Sequence, residues 1–94
     1  MPYYVYILTN RTNTVLYTGY TSNLTARIET HKAKMVPGFT ARYNVDRLVY
    51  YEIAEELESA REREVQIKNR SRKWKMELID AFNPTWVDLS DQIS

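Results

Sequence analysis

The sequence predicts a small α+β single domain in which a three-stranded antiparallel sheet is flanked by helices, in the order ββαβαα. All eight tyrosines lie in the first 51 residues, which favours strands there, and apolar residues follow at helical spacing. A length of 94 residues suits one domain over 1–94, with a core of about 2–83 and a tail of 84–94. Trp86 and Leu89 of this tail are expected to fold back onto the core.

Two strands are predicted to form an antiparallel hairpin at the start of the chain. Residues 3–9 are aromatic, β-branched and aliphatic, which is typical of a largely buried strand. Residues 10–13 have turn chemistry, and the strand pattern resumes over residues 15–20, so a loop of about four or five residues joins the strands. The apolar residues of 46–53 predict the third strand.

A first helix is predicted over residues 24–32. Asn23 and the two hydroxyl residues before it are competent N-caps, and Leu24 and Ile28 follow at helical spacing. Residues 34–44 contain a Pro-Gly pair and several basic residues, so we expect a long, exposed basic loop there.

Two further helices are predicted in the second half of the chain. Ser59 and Glu62 match a capping box, which predicts a helix over residues 60–69. Ser71 is expected to cap the last helix, which ends before Pro84. The apolar residues that share one face of this last helix are Trp74, Leu78, Ala81 and Phe82.

The composition excludes several kinds of chemistry. The lack of cysteine rules out disulfides, thiolate metal sites and cysteine nucleophiles, and a single histidine rules out a multi-histidine metal site. With two glycines there is no glycine-rich phosphate loop. No apolar run approaches the roughly 20 residues of a spanning helix, and the first residues do not resemble a secretory signal. We therefore expect a cytoplasmic protein that does not enter a membrane.

The net charge of +1 conceals alternating charged blocks. Residues 1–47 carry six basic and two acidic side chains, and residues 61–75 carry seven basic and two acidic ones. Residues 48–60 and 76–94 each carry four acidic side chains and no basic one. If the two basic blocks meet in the fold, they form a surface that attracts phosphates. Alternatively, they are solvated helix faces with local ion pairs.

Four side chains could form a reactive group beside the hairpin. Tyr6 and Tyr17 lie on its two strands, where alternation of side chains could bring both phenols to one face. Arg27 and His31 are one turn apart on the first predicted helix, and we expect them on a different face from its apolar residues. The four would converge if that helix packs beside the hairpin.

Glu64 occupies a position where an apolar residue is expected. It lies between Ala60 and Ile67 on the inner face of its predicted helix. Burial of a lone carboxylate is costly unless a cation or metal ion meets it. The alternative is an ion pair with Lys68, one turn further on.

Two tyrosine motifs together with several downstream segments resemble the GIY-YIG nuclease superfamily. Tyr4-Val5-Tyr6 and Tyr17-Thr18-Gly19 are similar to the paired motifs of that family. The similarity continues in order through residues 23–32, 38–40, 48–52, 63–68 and 83–89. It covers nearly the whole chain and resembles the small stand-alone bacterial members, which are related to the nuclease domain of the excision-repair incision subunit.

The departures from the family pattern leave both phenols and Gly19 in place. Val5 and Thr18 stand where the motifs have isoleucine, and we expect only packing changes from them. Tyr4 stands where the first motif has glycine, which adds bulk beside the site.

The resemblance implies a metal-dependent endonuclease that hydrolyses phosphodiester bonds, with structured or damaged DNA favoured over RNA. Glu64 would be the single carboxylate ligand of a divalent cation, with Mg²⁺ the best candidate. Arg27 would bind the phosphate, and one of Tyr6 and Tyr17 would take a proton from the attacking water while the other orients it. Arg27 and the metal ion would have to lower the pKa of that phenol. His31 would assist proton transfer, or would simply pack within the helix.

The same resemblance implies that nucleic acid lies across the tyrosine face of the sheet. Phosphate contacts without sequence readout would come from Lys32, Lys34, Arg42, Lys68, Arg70, Arg72 and Lys73. Lys68 would also position Glu64 or a nearby phosphate. One alternative is a nucleic-acid-binding module that cleaves slowly or only with a partner. The other is a protein-interaction domain whose contact surface includes Trp86 and the acidic tail.

Overall fold

The computed structural model describes residues 2–35 and 37–93. Three strands form one antiparallel sheet in the order β2-β1-β3, namely β1 (Tyr3–Thr9), β2 (Leu16–Thr21) and β3 (Arg47–Ala54). The helices are α1 (Leu24–Lys32), α2 (Phe39–Arg42), α3 (Leu57–Lys68) and α4 (Arg72–Phe82), and a short 3₁₀ helix follows at Leu89–Gln92. The predicted α+β fold with a three-stranded antiparallel sheet is confirmed.

The central strand β1 separates two layers of core. Its residues Val5, Tyr6, Ile7 and Leu8 are each at most 1% exposed, because the sheet has packed elements on both faces. Alternate side chains therefore enter different cores. The core beneath α3 and α4 includes Val5, Ile7, Val49, Ala60, Ile67 and Ile79. The core beneath α1 and the C-terminal segment includes Tyr6, Leu8, Leu24, Ile28, Leu48 and Leu89.

The hairpin loop is longer than predicted and is organised by one asparagine. Asn10 Oδ1 accepts hydrogen bonds from the backbone N–H groups of Thr14 (2.8 Å) and Val15 (3.2 Å). Asn13 adopts a φ of 59°, a left-handed conformation that asparagine tolerates better than most residues. These bonds extend the loop through Val15, so β2 begins at Leu16.

Helix α1 has the predicted bounds, and the basic loop after it contains one unpredicted helical turn. Asn23 Oδ1 accepts a hydrogen bond from the N–H of Ala26 at 3.1 Å, which confirms the N-cap. Within residues 34–44, of which residue 36 lies outside the described part of the chain, α2 follows Gly38. Gly38 has a φ of 105°, which favours glycine.

The capping box predicted for the third helix is wrong. Helix α3 begins at Leu57, so Ser59 lies inside its first turn. Glu56 occupies the N-cap position without a side-chain capping bond. Acidic residues are favourable near a helix N-terminus, and Glu58 lies in the first turn. The predicted cap of α4 is confirmed, since Ser71 Oγ accepts a hydrogen bond from Trp74 N–H at 3.1 Å.

The C-terminal segment folds back onto both cores, as predicted. Trp86 is 8% exposed and Leu89 is 6% exposed. Asn83 fixes the turn before them, because its amide donates to the carbonyl oxygens of Val49 (3.2 Å) and Val87 (2.8 Å). Burial removes Trp86 from the surface, so it cannot serve as the contact residue of a protein-interaction domain. In the described part of the chain no helix has the length and apolar character needed to cross a membrane.

Candidate active site

Four of the residues singled out from the sequence open onto one cavity. Tyr6, Tyr17, Arg27 and Glu64 line an open cavity of about 450 Å³ beside strand β2, which we call the phenol cavity. The other residues that line it are Tyr3, Gly19, Tyr20, Thr21, Ser22 and Leu57. The hairpin, the start of α1 and helix α3 each contribute a part of its wall.

Gly19 allows the Tyr6 phenol to reach this cavity. The two residues pair directly across β1 and β2. A Cβ atom on residue 19 would lie 2.5 Å from Tyr6 Oη and 2.7 Å from Cζ, which is too close for any side chain. Sequence reasoning assigned Gly19 no role of its own, although a glycine inside a strand can signal such a close approach.

The two phenol rings share one face of the sheet, as alternation along the strands predicts. Tyr17 pairs with Leu8, two residues from Tyr6 on the same face. The ring centroids of Tyr6 and Tyr17 are 6.5 Å apart, with an angle of 43° between the ring planes. The rings differ in burial, because Tyr6 is 1% exposed whereas Tyr17 is half-buried.

Burial makes Tyr6 a poor base in this state of the protein. Desolvation by burial, followed by the neighbouring Tyr17, raises the pKa of Tyr6, the charge and hydrogen bond of Arg27 lower it, and the net pKa is about 12. Formation of the Tyr6 phenolate at pH 7 would therefore cost about 7 kcal/mol. Arg27 lowers the pKa of Tyr6, as expected, but its effect is smaller than that of burial.

Glu64 lies on the inner side of α3, as its spacing predicts. Ala60 and Ile67, on the same side of the helix, are fully buried, and the Glu64 side chain is 14% exposed at the edge of the cavity. Lys68 Nζ lies 3.2 Å from Glu64 Oε2, so the predicted ion pair is also present. The lysine side chain is 49% exposed, and a pair of this kind contributes only about 0.3–0.5 kcal/mol. The lysine therefore does not seal the carboxylate away from the cavity.

The donor set of the phenol cavity fits a weakly held Mg²⁺ better than a zinc ion. Among the described residues, no group of three or more His, Cys, Asp or Glu side chains is placed to hold a metal ion. Mg²⁺ commonly uses one or two carboxylates and completes its shell with waters and substrate phosphates, whereas zinc sites use three or four protein ligands. Glu64 would be the protein ligand in such a site.

Arg27 and His31 do not lie together on the polar side of α1. Arg27 is exposed and reaches the phenol cavity, whereas His31 is 3% exposed and is buried with Leu24 and Ile28. Residue 31 follows residue 24 by seven positions and residue 28 by three, so helical periodicity places it on the apolar side. The expectation that His31 lies on a different face from Leu24 and Ile28 is therefore wrong.

His31 lies behind the two phenols rather than in the cavity. Its ring centroid is 5.8 Å from that of Tyr17 and 6.2 Å from that of Tyr6. Nδ1 forms a hydrogen bond of 3.1 Å with Thr40 Oγ1 on α2, and Nε2 is buried without a hydrogen-bond partner among the described residues. Burial lowers the pKa of His31, and the Arg27 charge lowers it further. The ring therefore connects α2 to the two phenols.

None of the seven basic residues expected to bind phosphates lines the phenol cavity. Several are engaged within the protein: Lys32 pairs with Asp88 (Nζ to Oδ2, 2.7 Å), Lys68 pairs with Glu64, Arg72 donates to the carbonyl oxygen of Asn13 (3.0 Å), and Arg42 and Arg70 lie over the rings of Tyr43 (5.5 Å) and Trp74 (5.1 Å). Within residues 2–35 and 37–93, Lys34 and Lys73 form no ion pair.

The tyrosine face of the sheet is covered in part, and a cavity remains open beside Tyr4 and Tyr51. Leu24 and Ile28 of α1 and Leu89 of the C-terminal segment pack against it, so a duplex cannot lie across it as expected. The phenols are reached instead from the side of β2, through the phenol cavity.

A profile of the GIY-YIG catalytic domain matches residues 2–77, a span that contains both tyrosine motifs, Arg27 and Glu64. The chain belongs to the GIY-YIG family. This confirms the resemblance in the sequence, and the family is one of nuclease-type domains.

Small bacterial proteins resemble this GIY-YIG domain over most of their length. The UPF0213 protein SH2523 of Staphylococcus haemolyticus is 41% identical over 78 residues, which cover 83% of this chain and 94% of that protein. The UPF0213 protein CPE1444 of Clostridium perfringens is 38% identical, with 83% of each chain covered. The solution NMR structure of the UPF0213 protein BH0048 from Bacillus halodurans superposes with a TM-score of 0.55 at 32% identity, covering 86% of this chain and 85% of that one.

Proposed function

We propose that this GIY-YIG domain is a metal-dependent endonuclease that hydrolyses phosphodiester bonds of cytoplasmic nucleic acid. Structured or damaged DNA is its preferred substrate, ahead of RNA. The observation that carries the proposal is the phenol cavity, in which two phenols, a guanidinium and a carboxylate line one open space. This combination places a proton acceptor, an anion-binding group and a metal ligand around one cavity that could hold a substrate phosphate.

Arg27 binds the scissile phosphate. Its guanidinium is exposed and lies at the cavity, and a planar guanidinium can form two parallel hydrogen bonds to phosphate oxygens. Negative charge increases on these oxygens as the attacking water approaches, so a fixed positive group stabilises the transition state more than the ground state.

The two phenols have different roles. Tyr6 keeps its proton, because deprotonation at pH 7 costs about 7 kcal/mol at a pKa of about 12, and it orients the attacking water through a hydrogen bond. Tyr17, which is half-buried and lines the same cavity, first releases its phenol proton to solvent water and then, as the phenolate, takes the proton of the attacking water. The difference in burial supports this assignment, which the two motifs leave open.

Glu64 is the carboxylate that holds the divalent cation. When bound, Mg²⁺ polarises the scissile phosphate and stabilises the leaving oxygen. Lys68 pairs with one carboxylate oxygen before the cation arrives, and its half-exposed ammonium can turn to solvent or to a neighbouring phosphate when Glu64 is engaged. The ion pair thus keeps the carboxylate oriented while the site is empty of substrate.

His31 acts as a positioning residue. It touches no part of the phenol cavity, but its ring lies edge-on to Tyr6 and close to Tyr17. The Thr40 hydrogen bond fixes the ring plane. A histidine in this position holds both phenols at the angle that faces the water.

Cleavage assays on nicked, branched and single-stranded DNA with Mg²⁺ test this proposal. The unmodified protein should cut at least one of the structured DNAs, and a chelator should stop the reaction. Glu64→Ala and Tyr17→Phe should each abolish cutting, whereas Tyr43→Phe, outside the cavity, should not affect it. Activity that survives both cavity substitutions would refute the proposed site.

A nucleic-acid-binding module without turnover is the second candidate function. The Glu64–Lys68 ion pair favours it, because a carboxylate held by lysine is less available to a metal ion. Salt-dependent DNA binding with no cleavage in Mg²⁺ would support this alternative.

A further inference from the structure

A second cavity lies next to the phenol cavity and shares Ser22 with it. It has a volume of about 340 Å³. The sheet contributes Tyr4, Tyr51 and Ile53 to its wall, and Asn23 and Gln92 lie at its edge. Of the described residues that line this cavity, none is charged. A neutral, flat ligand therefore suits it better than a phosphate or a metal ion.

The strand register places this second cavity beside Tyr6, one of the two phenols of the proposed reaction. Tyr4 precedes Tyr6 by two residues and points to the same face, which puts the two Cα atoms about 7 Å apart. Tyr51 pairs directly with Tyr6 across β1 and β3. A group bound between Tyr4 and Tyr51 would therefore belong to a nucleotide next to the one whose phosphate meets Arg27.

The lining chemistry suits a nucleobase. Tyrosine rings are common stacking partners for unpaired bases, because every base has an aromatic face. The side-chain amides of Asn23 and Gln92 can form hydrogen bonds with base edges, and Asn23 commits Oδ1 to Ala26 while its NH₂ group is not needed for the cap. The family motif has glycine where this chain has Tyr4, and a glycine could not contribute to stacking.

We infer that the Tyr4–Tyr51 cavity, here called the base cavity, binds an unpaired nucleobase of the substrate beside the scissile phosphate. This inference rests on the proposed endonuclease function. It gives that function a substrate class, namely DNA with at least one unpaired nucleotide next to the cleaved bond, such as a flap or a frayed nick. A base that is paired and stacked in a duplex cannot enter a pocket in the protein surface.

Binding of flap DNA with single abasic positions tests the inference. The duplex junction fixes the alignment of the DNA on the protein. Each DNA in the series carries one abasic nucleotide, at a different position of the unpaired strand. Fluorescence anisotropy in the presence of a chelator gives Kd without cleavage. Removal of the base that enters the base cavity should weaken binding roughly 5- to 150-fold at one position, and other positions should be unaffected.

Substitutions of Tyr4 test whether this loss of affinity at the abasic position, here called the abasic penalty, arises in the base cavity. Tyr4→Phe keeps the ring and should keep the penalty. Tyr4→Ala should weaken binding of the intact flap by a similar factor, and the abasic penalty should then disappear, because the base has lost its partner. Tyr43→Ala removes a half-exposed tyrosine outside both cavities and should leave the penalty intact.

A second measurement covers the case in which Tyr4→Ala does not fold. A 2-aminopurine base at the sensitive position should lose fluorescence when the unmodified protein binds, because stacking on tyrosine quenches it. The absence of quenching, the absence of any position-specific penalty, or a penalty that persists in folded Tyr4→Ala would each overturn the base cavity. In those cases binding and cleavage of flap DNA would leave the endonuclease proposal standing. Failure of the unmodified protein to bind any flap DNA would overturn both.

Discussion

Substitution of Gly19 by alanine should disturb the phenol cavity without changing any of its functional groups. The new Cβ would lie 2.5 Å from Tyr6 Oη, whereas ordinary van der Waals contact begins at about 3.4 Å. The phenol must therefore move by about 0.9 Å. Its ring is 1% exposed and borders the rings of both Tyr17 and His31, so it has little space to move sideways.

Two magnitudes follow from this displacement. Overpacking of a well-packed core costs about 1–3 kcal/mol of the free energy of unfolding. A displacement of about 1 Å in a positioning group can lower the rate about 100-fold. We expect Gly19→Ala to show both effects, measured by urea unfolding and by single-turnover cleavage of flap DNA. Because Tyr6→Phe removes the nearest clashing atom, the double variant should regain part of the lost stability.

Gly38→Ala is the matched control for this substitution. No atom lies within 4 Å of a Cβ at residue 38, but its φ of 105° makes alanine strained there. It should therefore lose stability through the backbone alone and leave the NMR shifts of the Tyr6 ring unchanged. If Gly19→Ala instead unfolds at the urea concentration of the unmodified protein and cleaves at the same rate, the close approach of Tyr6 to β2 does not govern the site.

Four further results are expected. Burial raises the pKa of both Tyr6 and Tyr50 to about 12 from 10, so stability that is present below pH 10 should fall by about 3 kcal/mol per tyrosine as the pH rises towards 12, measured by urea unfolding. Thr40→Val removes the hydrogen bond to His31 and should cost about 1–3 kcal/mol. Because burial lowers the pKa of His31, stability should also decline as the pH falls below 6.5. Lys73→Ala should lower the salt dependence of DNA binding by about one counterion if this lysine contacts a phosphate.

Each of these results can be contradicted by measurement. Stability that does not decline below pH 6.5 would mean that burial does not disfavour protonation of His31. A flat alkaline limb of the stability profile would mean that the two phenols titrate like exposed tyrosines. An unchanged free energy of unfolding in Thr40→Val would show that the contact between α1 and α2 does not stabilise the fold. An unchanged salt slope in Lys73→Ala would remove Lys73 from the nucleic-acid interface.

The parts of the fold that local pattern determines were predictable from the sequence. Strand β1 and helix α1 have the predicted bounds, because an apolar run and an asparagine cap define them without help from distant residues. The start of α3 was not predictable from Ser59. Acidic residues in the first turn also favour a helix start, and α3 begins at Leu57 with Glu58 in its first turn.

The composition of the candidate site was more accessible to prediction than its electrostatics. Spacing and family resemblance led to Tyr6, Tyr17, Arg27 and Glu64, all of which line the phenol cavity. The pKa of Tyr6 depends on how deeply the packed rings bury its hydroxyl, and no local pattern encodes that depth. The burial of His31, by contrast, follows from its seven-residue spacing after Leu24 and could have been read from the sequence.

The pairing of the basic residues depends on contacts between distant parts of the chain. Lys32 meets Asp88, 56 residues away, and Arg72 meets the hairpin loop at Asn13, 59 residues away. Both were expected to bind phosphates because their charge is visible in the sequence, whereas their partners are brought close only by the C-terminal segment and by α4. Charge patterning alone therefore does not show which basic residues are already engaged within the protein.

The single-turnover cleavage rate of prebound flap DNA tests most directly whether hydrolysis of a phosphodiester bond depends on Glu64. With Mg²⁺, the unmodified protein should cleave the bound DNA. Glu64→Gln should bind that DNA with similar affinity but cleave it at least roughly 1,000-fold more slowly, because several kcal/mol of metal-assisted stabilisation are lost. Equal rates in the two proteins would show that hydrolysis, if it occurs, does not depend on this carboxylate.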